Sequence, residues 1–457
     1  MQRPRWLSGL DASFLHLESA TQPLQVISVL ELDVSTIPGG YDYSRFRHDL
    51  SMRVRGMPAF MERPSHGLAY LGRPVWLADG AIDVDRHVHR IVLPAPGGRA
   101  ELVDVCSYLA GLPLSRDRPL WEMWVIEGGH RLAVLIKVHH AEADGVTFAR
   151  MLSQLCSTEI DPEPNPPPAD PPLAASSWAI AIDGLARFVG RPLYVAVTLL
   201  PATIRAVADT VRRAVTGRAM TAPFTAPRTV LNGRLTADRR LAFARLDLDD
   251  VKEVKNHFGV TVNDVLMALI GGVLRQFLLD RGELPRRSLV ALVPVSVHVP
   301  SERPERNQVS GMYARLLTQI ADPGTRLRAM APANTVAKEH SSAIGATLLQ
   351  DWCELTGPVT LGIAKRTYAR LTRFRPMYNV VVSNVPGPQA RYFLGAEITA
   401  MYPFGPVLHG AGVNITMWTV NGILHIGVIA CPELLPDPAA LADGFAVGLQ
   451  QLRSETD

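Results

Sequence analysis

Cysteine is scarce, with four residues in 457: Cys106, Cys156, Cys353 and Cys431. They lie far apart and form no CxxC pair. That excludes a cysteine-based zinc site and a disulfide framework, and suits a reducing cytoplasm. An excess of one charge is also missing. The chain carries 46 basic and 43 acidic residues, net +3, which excludes the basic footprint of a nucleic-acid binder. No GxSxG is present, so a serine hydrolase of the nucleophile-elbow type is unsupported. No Walker A loop or dinucleotide GxGxxG is present either. Met1 to Trp6 runs into Asp11 and Glu18 without an apolar core, so no signal peptide is expected. The longest charge-free stretch, Ile398 to Pro432, is broken by Pro403, Pro406, Asn414 and Asn421. It reads as strands, and no segment is expected to span a bilayer.

What is present describes a globular chain, 47% apolar and 19% charged. Its length suits two domains. Asp161 to Pro172 holds seven prolines in twelve residues and can be only an extended linker. The expected organisation is therefore 1–160, a linker with helices over 161–239, and 240–457. Helices alternate with strands on both sides of the linker, as in an α/β protein with mixed sheets. Residues 187–218 hold six arginines against one acid, Asp209. Within them Ile204, Val207, Val211 and Val215 share a face opposite Arg205, Arg212 and Arg213. Two readings fit: a helix half-buried against the body, or one lying in a membrane interface.

The most chemically informative run is His139-His140-Ala141-Glu142-Ala143-Asp144-Gly145. It follows the apolar strand pattern Leu132–Val138 and precedes the helical pattern Val146–Leu155. A histidine is thus delivered to a strand end, where open α/β sheets place ligands, with an aspartate and a glycine in the turn. A neutral imidazole there can accept a proton near pH 7. Adjacent strand residues point to opposite faces, so His139 and His140 are expected to do different jobs. His87 and His89 stand beside arginines and are expected at the surface, not at a metal.

The HHxxxDG pattern is shared by a superfamily of CoA-dependent acyltransferases. Four other stretches narrow it: Leu7-Ser8-Gly9-Leu10-Asp11-Ala12-Ser13-Phe14-Leu15, Pro113 to Glu122, Val262-Asn263-Asp264-Val265-Leu266 and Ser383-Asn384-Val385-Pro386-Gly387-Pro388. With these, in this order, the chain resembles the bacterial wax ester synthase/diacylglycerol acyltransferase family over nearly its whole length. The resemblance implies an α/β fold of two similar chloramphenicol-acetyltransferase-like domains, each a mixed sheet with flanking helices, with an active-site tunnel between them. It implies acyl-CoA as co-substrate, no cofactor and no metal. Diacylglycerol is the implied acceptor, or a long-chain alcohol, and the implied location is cytoplasmic, peripheral to the membrane or to lipid droplets. His140 would be the general base and His139 a positioning residue. Asp144 would hold the loop by pairing with an arginine, or else contact His140 directly, and Gly145 would provide space or an unusual backbone angle. Asn263 and Asp264 would wall the site from the second domain, although Asn or Asp at a helix start is ordinarily a cap. Ser383 and Asn384 would donate to the thioester oxygen or CoA, or merely form a turn. Trp121 would pack in the core or line the tunnel.

Two stretches depart from the family pattern, Arg306-Asn307 and Thr419-Val420-Asn421-Gly422, and both bear on substrate choice. Two rival readings remain: a condensation-type enzyme fed by a carrier-protein thioester, and a non-catalytic lipid-binding protein of the same fold.

Overall fold

The structure is a computed structural model. It describes residues 5–65, 74–78, 82–129, 131–160, 178, 182, 185, 189–190, 192–296, 309–344, 348–355, 358–372 and 374–455. The proline run and Arg306-Asn307 lie outside them.

The strands are β1 Arg5–Trp6, β2 Gln25–Asp33, β3 Glu62–Ser65, β4 Val75–Ala78, β5 Val88–Val92, β6 Trp121–Gly128, β7 Arg131–His139 and β8 Arg240–Asp247. The later ones are β9 Val290–Ser296, β10 Val309–Arg315, β11 Val380–Val385, β12 Tyr392–Phe393, β13 Ala396–Phe404, β14 Val413–Val420 and β15 Ile423–Ala430. The helices used below are α1 Gly9–Leu17, α2 Tyr43–Arg55, α3 Arg99–Gly111, α4 Gly145–Leu155, α5 Leu200–Val215, α6 Leu248–Phe258, α7 Val262–Asp280, α8 Pro323–Ile344, α9 Leu348–Leu355, α10 Pro358–Leu371 and α11 Ala439–Arg453.

Two six-stranded mixed sheets carry the fold. The first runs β12-β13-β2-β7-β6-β5 and the second β10-β9-β11-β14-β15-β8. A small sheet, β1-β4-β3, stands apart. The protein is thus α/β, as expected. In the first sheet β7 is central and buried at every position after Arg131. This explains why its sequence is apolar from Leu132 to Ile136 and does not alternate. It pairs antiparallel with β2, bringing Gln25 opposite His139.

One connection crosses between the halves. β12 and β13 come from the 240–457 segment but join the first sheet, where β13 pairs antiparallel with β2. β13 also packs against the second sheet. A Cβ on Gly427 would meet the Pro403 carbonyl at 1.9 Å, so only glycine permits this approach. The Trp418 indole N–H donates to the Met401 carbonyl at 2.8 Å.

A buried polar group ties α3 to the first sheet. Lys137 reaches the carbonyls of Leu109 and Leu112, and the Gln25 amide reaches those of Ala110 and Leu112. These donors satisfy the carbonyl end of α3. Glu122 pairs with Lys137 at 3.1 Å and with Arg118 at 3.0 Å.

Three expectations change. His87 is buried, stacked on Trp121 with ring centroids 4.3 Å apart, because its imidazole Nδ1 is engaged by the Trp121 carbonyl at 2.8 Å. Asn421-Gly422 is the two-residue turn of the β14–β15 hairpin, with φ of 51° and 79°. Its positive angles favour that residue pair, so this half of the Thr419–Gly422 stretch is set by the turn, and the residues that depart from the family pattern are Thr419 and Val420, at the end of β14. Finally, the sequence predicts that 176–219 is helical but interrupted at Pro192 and Pro201, and Pro201 does not interrupt its helix. A π-helical turn at Val195–Leu199 precedes it and absorbs the missing hydrogen bond. The helix therefore runs on from Pro192 to Val215. It has 24 residues, and an 18-residue window within it has a mean hydropathy of 1.3, so it is long and apolar enough, by length and composition, to cross a membrane. α7 passes the same test, but it is a mostly buried core helix.

Candidate active site

The site is built where β7 runs out. The His139 N–H donates to the Leu120 carbonyl at 2.9 Å, and the His140 N–H to that of Leu24 at 2.8 Å. The neighbouring strand ends thus hold the backbone of both histidines. The chain then turns tightly, with the Glu142 N–H returning to the His139 carbonyl at 2.8 Å.

The two side chains part company as strand alternation requires. His139 is 1% exposed. Its Nδ1 accepts from the Ala141 N–H at 3.0 Å, which puts its proton on Nε2, 3.3 Å from Glu18 Oε1. His140 is only partly buried and stacks on Phe14 of α1, with centroids 4.2 Å apart and planes 24° off parallel. Of the two histidines, His140 alone is open to a reactant.

Glu18 was not singled out from the sequence. Its carboxylate also takes the Arg116 guanidinium at 2.6 Å and the Leu24 N–H at 3.2 Å. Burial opposes its charge, but His139 and Arg116 outweigh burial and hold it down at about 2. Two family-like stretches, the Leu7–Leu15 run with α1 and the Pro113–Glu122 run, therefore meet on the back of the first histidine. The only sequence signal was an acid at the end of an apolar helix.

Asp144 caps α4: its carboxylate accepts from the Thr147 N–H at 2.8 Å. This fixes the start of α4 directly after the histidine turn. Gly145 begins α4 and has no positive φ. It is small because a Cβ would lie 2.8 Å from Val385 Cγ2. The HHxxxDG turn is thereby pressed against the end of β11 in the second sheet. Alternation along β11 puts Ser383 on the same face as Val385 and turns Asn384 to the other. Asn384 is exposed and Ser383 partly buried. The structure thus brings Ser383 to the histidine side and leaves Asn384 off it. Gly387 sits so close to β14 that a Cβ would meet the Thr419 carbonyl at 1.8 Å, so that turn is fixed by packing.

The remaining candidates are placed elsewhere. Asp264 closes a capping box with Thr261 at the start of α7, and its other oxygen accepts from Asn334 at 2.8 Å. One oxygen is thus occupied by the helix start and the other by Asn334 of α8. Asn263 precedes it, partly buried. Trp121 is 1% exposed and lies in the first-sheet core, its indole N–H donating to the Phe60 carbonyl at 3.0 Å. Among the described residues, no group of three or more His, Cys, Asp or Glu could hold a metal.

Residues 7–266 match the wax ester synthase/diacylglycerol acyltransferase catalytic domain, and residues 306–453 match the WS/DGAT C-terminal domain. A Mycobacterium tuberculosis (strain ATCC 25618 / H37Rv) protein named "Putative diacyglycerol O-acyltransferase" is 50% identical over 456 residues, spanning 99% of this chain and 90% of that one. A second protein so named from that strain is 33% identical over 460 residues, 98% and 95% of the two chains. The solved wax ester synthase/diacylglycerol acyltransferase from Marinobacter aquaeolei VT8 superposes with a TM-score of 0.69 at 27% identity, covering 99% of each chain. The first condensation domain of the CDA synthetase shares the fold, with a TM-score of 0.59 at 15% identity over 100% of this chain and 97% of that one. The chain belongs to the wax ester synthase/diacylglycerol acyltransferase family and is an acyltransferase.

Proposed function

We propose that this acyltransferase moves a long-chain acyl group from acyl-CoA to the free hydroxyl of diacylglycerol, giving triacylglycerol, with long-chain alcohols as secondary acceptors. The observation that carries the reading is the split of the histidine pair: His139 is buried and committed to Glu18, while His140 keeps an accessible face beside Phe14. His140 takes the hydroxyl proton as the oxygen attacks the thioester carbonyl. The carbon–sulfur bond breaks, and the CoA thiolate leaves with the proton His140 returns. Transfer is direct, so the reaction needs no enzyme-bound acyl intermediate, metal or cofactor. Ser383, on the histidine side of β11, is the donor best placed for the oxyanion.

The acceptor is a lipid, so the enzyme works at a cytoplasmic membrane or lipid-droplet surface. Support comes from the Pro192–Val215 helix. Leu193, Val197, Leu200, Ile204, Val207, Val211 and Val215 recur at intervals of three and four residues, and all are exposed. Arg205 and Arg212 border this face and suit anionic headgroups. A membrane-interfacial helix accounts for a continuous apolar stripe that the body does not cover.

Labelled acyl-CoA offered with diacylglycerol and a panel of alcohols tests the assignment. Labelled triacylglycerol as the main product supports it. Transfer only from acyl-carrier protein, or no turnover with any acceptor, overturns it.

A further inference from the structure

The membrane-facing stripe does not end at the helix surface. On the body side, α5 leaves a seam against α8 and α9, with a groove of about 240 Å³. Ala206, Val207, Val211, Ile344 and Leu348 line it, with Thr203 and Thr210. No ionisable side chain is among them. Both threonine hydroxyls are turned into the protein: Thr203 donates to the Leu199 carbonyl and Thr210 to that of Ala206, each at 2.7 Å. Their methyl groups are left to the groove. Two polar ties hold the seam, Trp352 Nε1 to Thr203 at 3.1 Å and His340 Nε2 to Thr210 at 3.2 Å. The wall is apolar between fixed ends.

Two of the lining residues, Val207 and Val211, also belong to the exposed stripe. The groove therefore opens on the same face that would meet the lipid. The wall opposite α5 includes Leu348, the first residue of α9. α9 is a helix of eight residues, about 12 Å long. Near its far end the Glu354 carboxylate accepts from the Gly9 N–H at 2.8 Å, and a Cβ on Gly9 would lie 2.3 Å from the Glu354 nitrogen. α9 is thus clamped to α1, and α1 carries Phe14, the ring stacked on His140. A single short helix leads from the groove to the catalytic neighbourhood.

We propose that this seam is a lateral portal that takes an acyl chain of a membrane-resident glyceride out of the bilayer. The acyl chain lies in the groove between α5 and the facing residues Ile344 of α8 and Leu348 of α9, and the glyceride hydroxyl is passed along α9 toward His140. The proposal rests on the membrane reading above. The occupant is a hydrocarbon chain, since the lining offers methyl and methylene groups and no charge, while the bordering Arg205 and Arg212 suit the headgroup layer.

The test uses the full chain and vesicles of phosphatidylcholine and phosphatidylglycerol. The vesicles contain a trace of diacylglycerol with a diazirine on one acyl chain. After flotation and irradiation, labelled peptides are mapped. Label is expected on residues 203–211 and again at Ile344 or Leu348. Ala206→Trp, which fills the groove, should reduce that label at least tenfold while the protein still floats. Leu348→Trp fills it from the opposite wall and should do the same, so the result does not depend on one variant folding. Label confined to outward residues such as Ile204 and Val215, or label unchanged in both variants, overturns the portal and leaves the membrane reading standing. If the parent protein fails to float at low salt, the membrane reading falls and the portal with it.

Discussion

His139 and His140 are neighbours in sequence with opposite environments, because a strand turns successive side chains to opposite sides. Residue-scale predictions follow from that split. His140→Ala should fold normally and lose roughly 10²–10⁴-fold in acyl transfer, the span expected for a lost general base. A folded variant with near-parental rate would remove His140 from the reaction. Asp144 acts through the helix it caps. Asp144→Ala should lower unfolding stability by about 1 kcal/mol in urea titration, and Asp144→Ser should restore most of it. Equal stability of the alanine variant and the parent would show that the cap contributes nothing. The motif showed which histidine stands at the strand end, but it could not show what the first histidine does. Glu18 lies far away in sequence, and only pairing of β2 with β7 brings its neighbourhood to the turn. Asp264 was legible as a helix-start residue from its type alone, and the capping box confirms that local physics.

Elements with their own periodicity were read well. The patterns over 43–55, 99–111 and 423–430 predict two helices and a strand, and α2, α3 and β15 have those bounds, because their stripes and caps are local. β12 and β13 were less legible in one respect: an apolar run does not say which sheet will accept it, and β13 pairs with a strand from the other end of the chain. The Pro192–Val215 helix shows the reverse: a proline that predicts an interruption is absorbed by a π turn that local sequence does not announce. The membrane prediction belongs to this element. Arg212 and Arg213 are both tied to Asp209, so Arg205 and Arg218 are the better cations to test. Arg205→Glu with Arg218→Glu removes about 2 kcal/mol of attraction at about 1 kcal/mol per basic residue, or roughly thirtyfold in binding to anionic vesicles at low salt. Leu193→Asp with Ile204→Asp and Val215→Asp should release the protein even at low salt, since it removes the apolar contribution. Sedimentation with vesicles measures both. Undiminished binding of the apolar variant would place the docking surface elsewhere, and self-association of the parent in place of vesicle binding would mark the stripe as an interface between copies.

At the scale of the molecule, the two sheets meet where β13 lies against β14 and β15, and a titratable group is buried in that junction. His425 of β15 is 3% exposed and stands edge-on to Tyr402 of β13, with centroids 5.3 Å apart. Burial, with a smaller push from Arg245, lowers its pKa from the usual 6.5 to about 4. The sign follows from counting protons. Below pH 6.5 the unfolded chain binds a proton at this imidazole that the folded chain refuses, so stability must fall as pH drops from 6.5 toward 4 and level off below. The full effect is on the order of 3 kcal/mol, since each tenfold loss of proton affinity on folding corresponds to about 1.4 kcal/mol. Glu18 acts in a different window: held at about 2, it loses its contribution as pH falls from about 4.5 toward 2. The two can therefore be separated. His87, His89, His340 and His409 are also held below their usual value by burial, so they add to the slope between pH 6.5 and 4. In urea titrations across that range, His425→Leu should flatten the loss of stability by a large part without abolishing it, and leave the fall below pH 4.5 in place. The sheet junction should then survive mild acid better than in the parent. A parental slope in His425→Leu would mean that His425 is solvated before the molecule unfolds, and that the two sheets separate locally at β13 as the first step of acid denaturation.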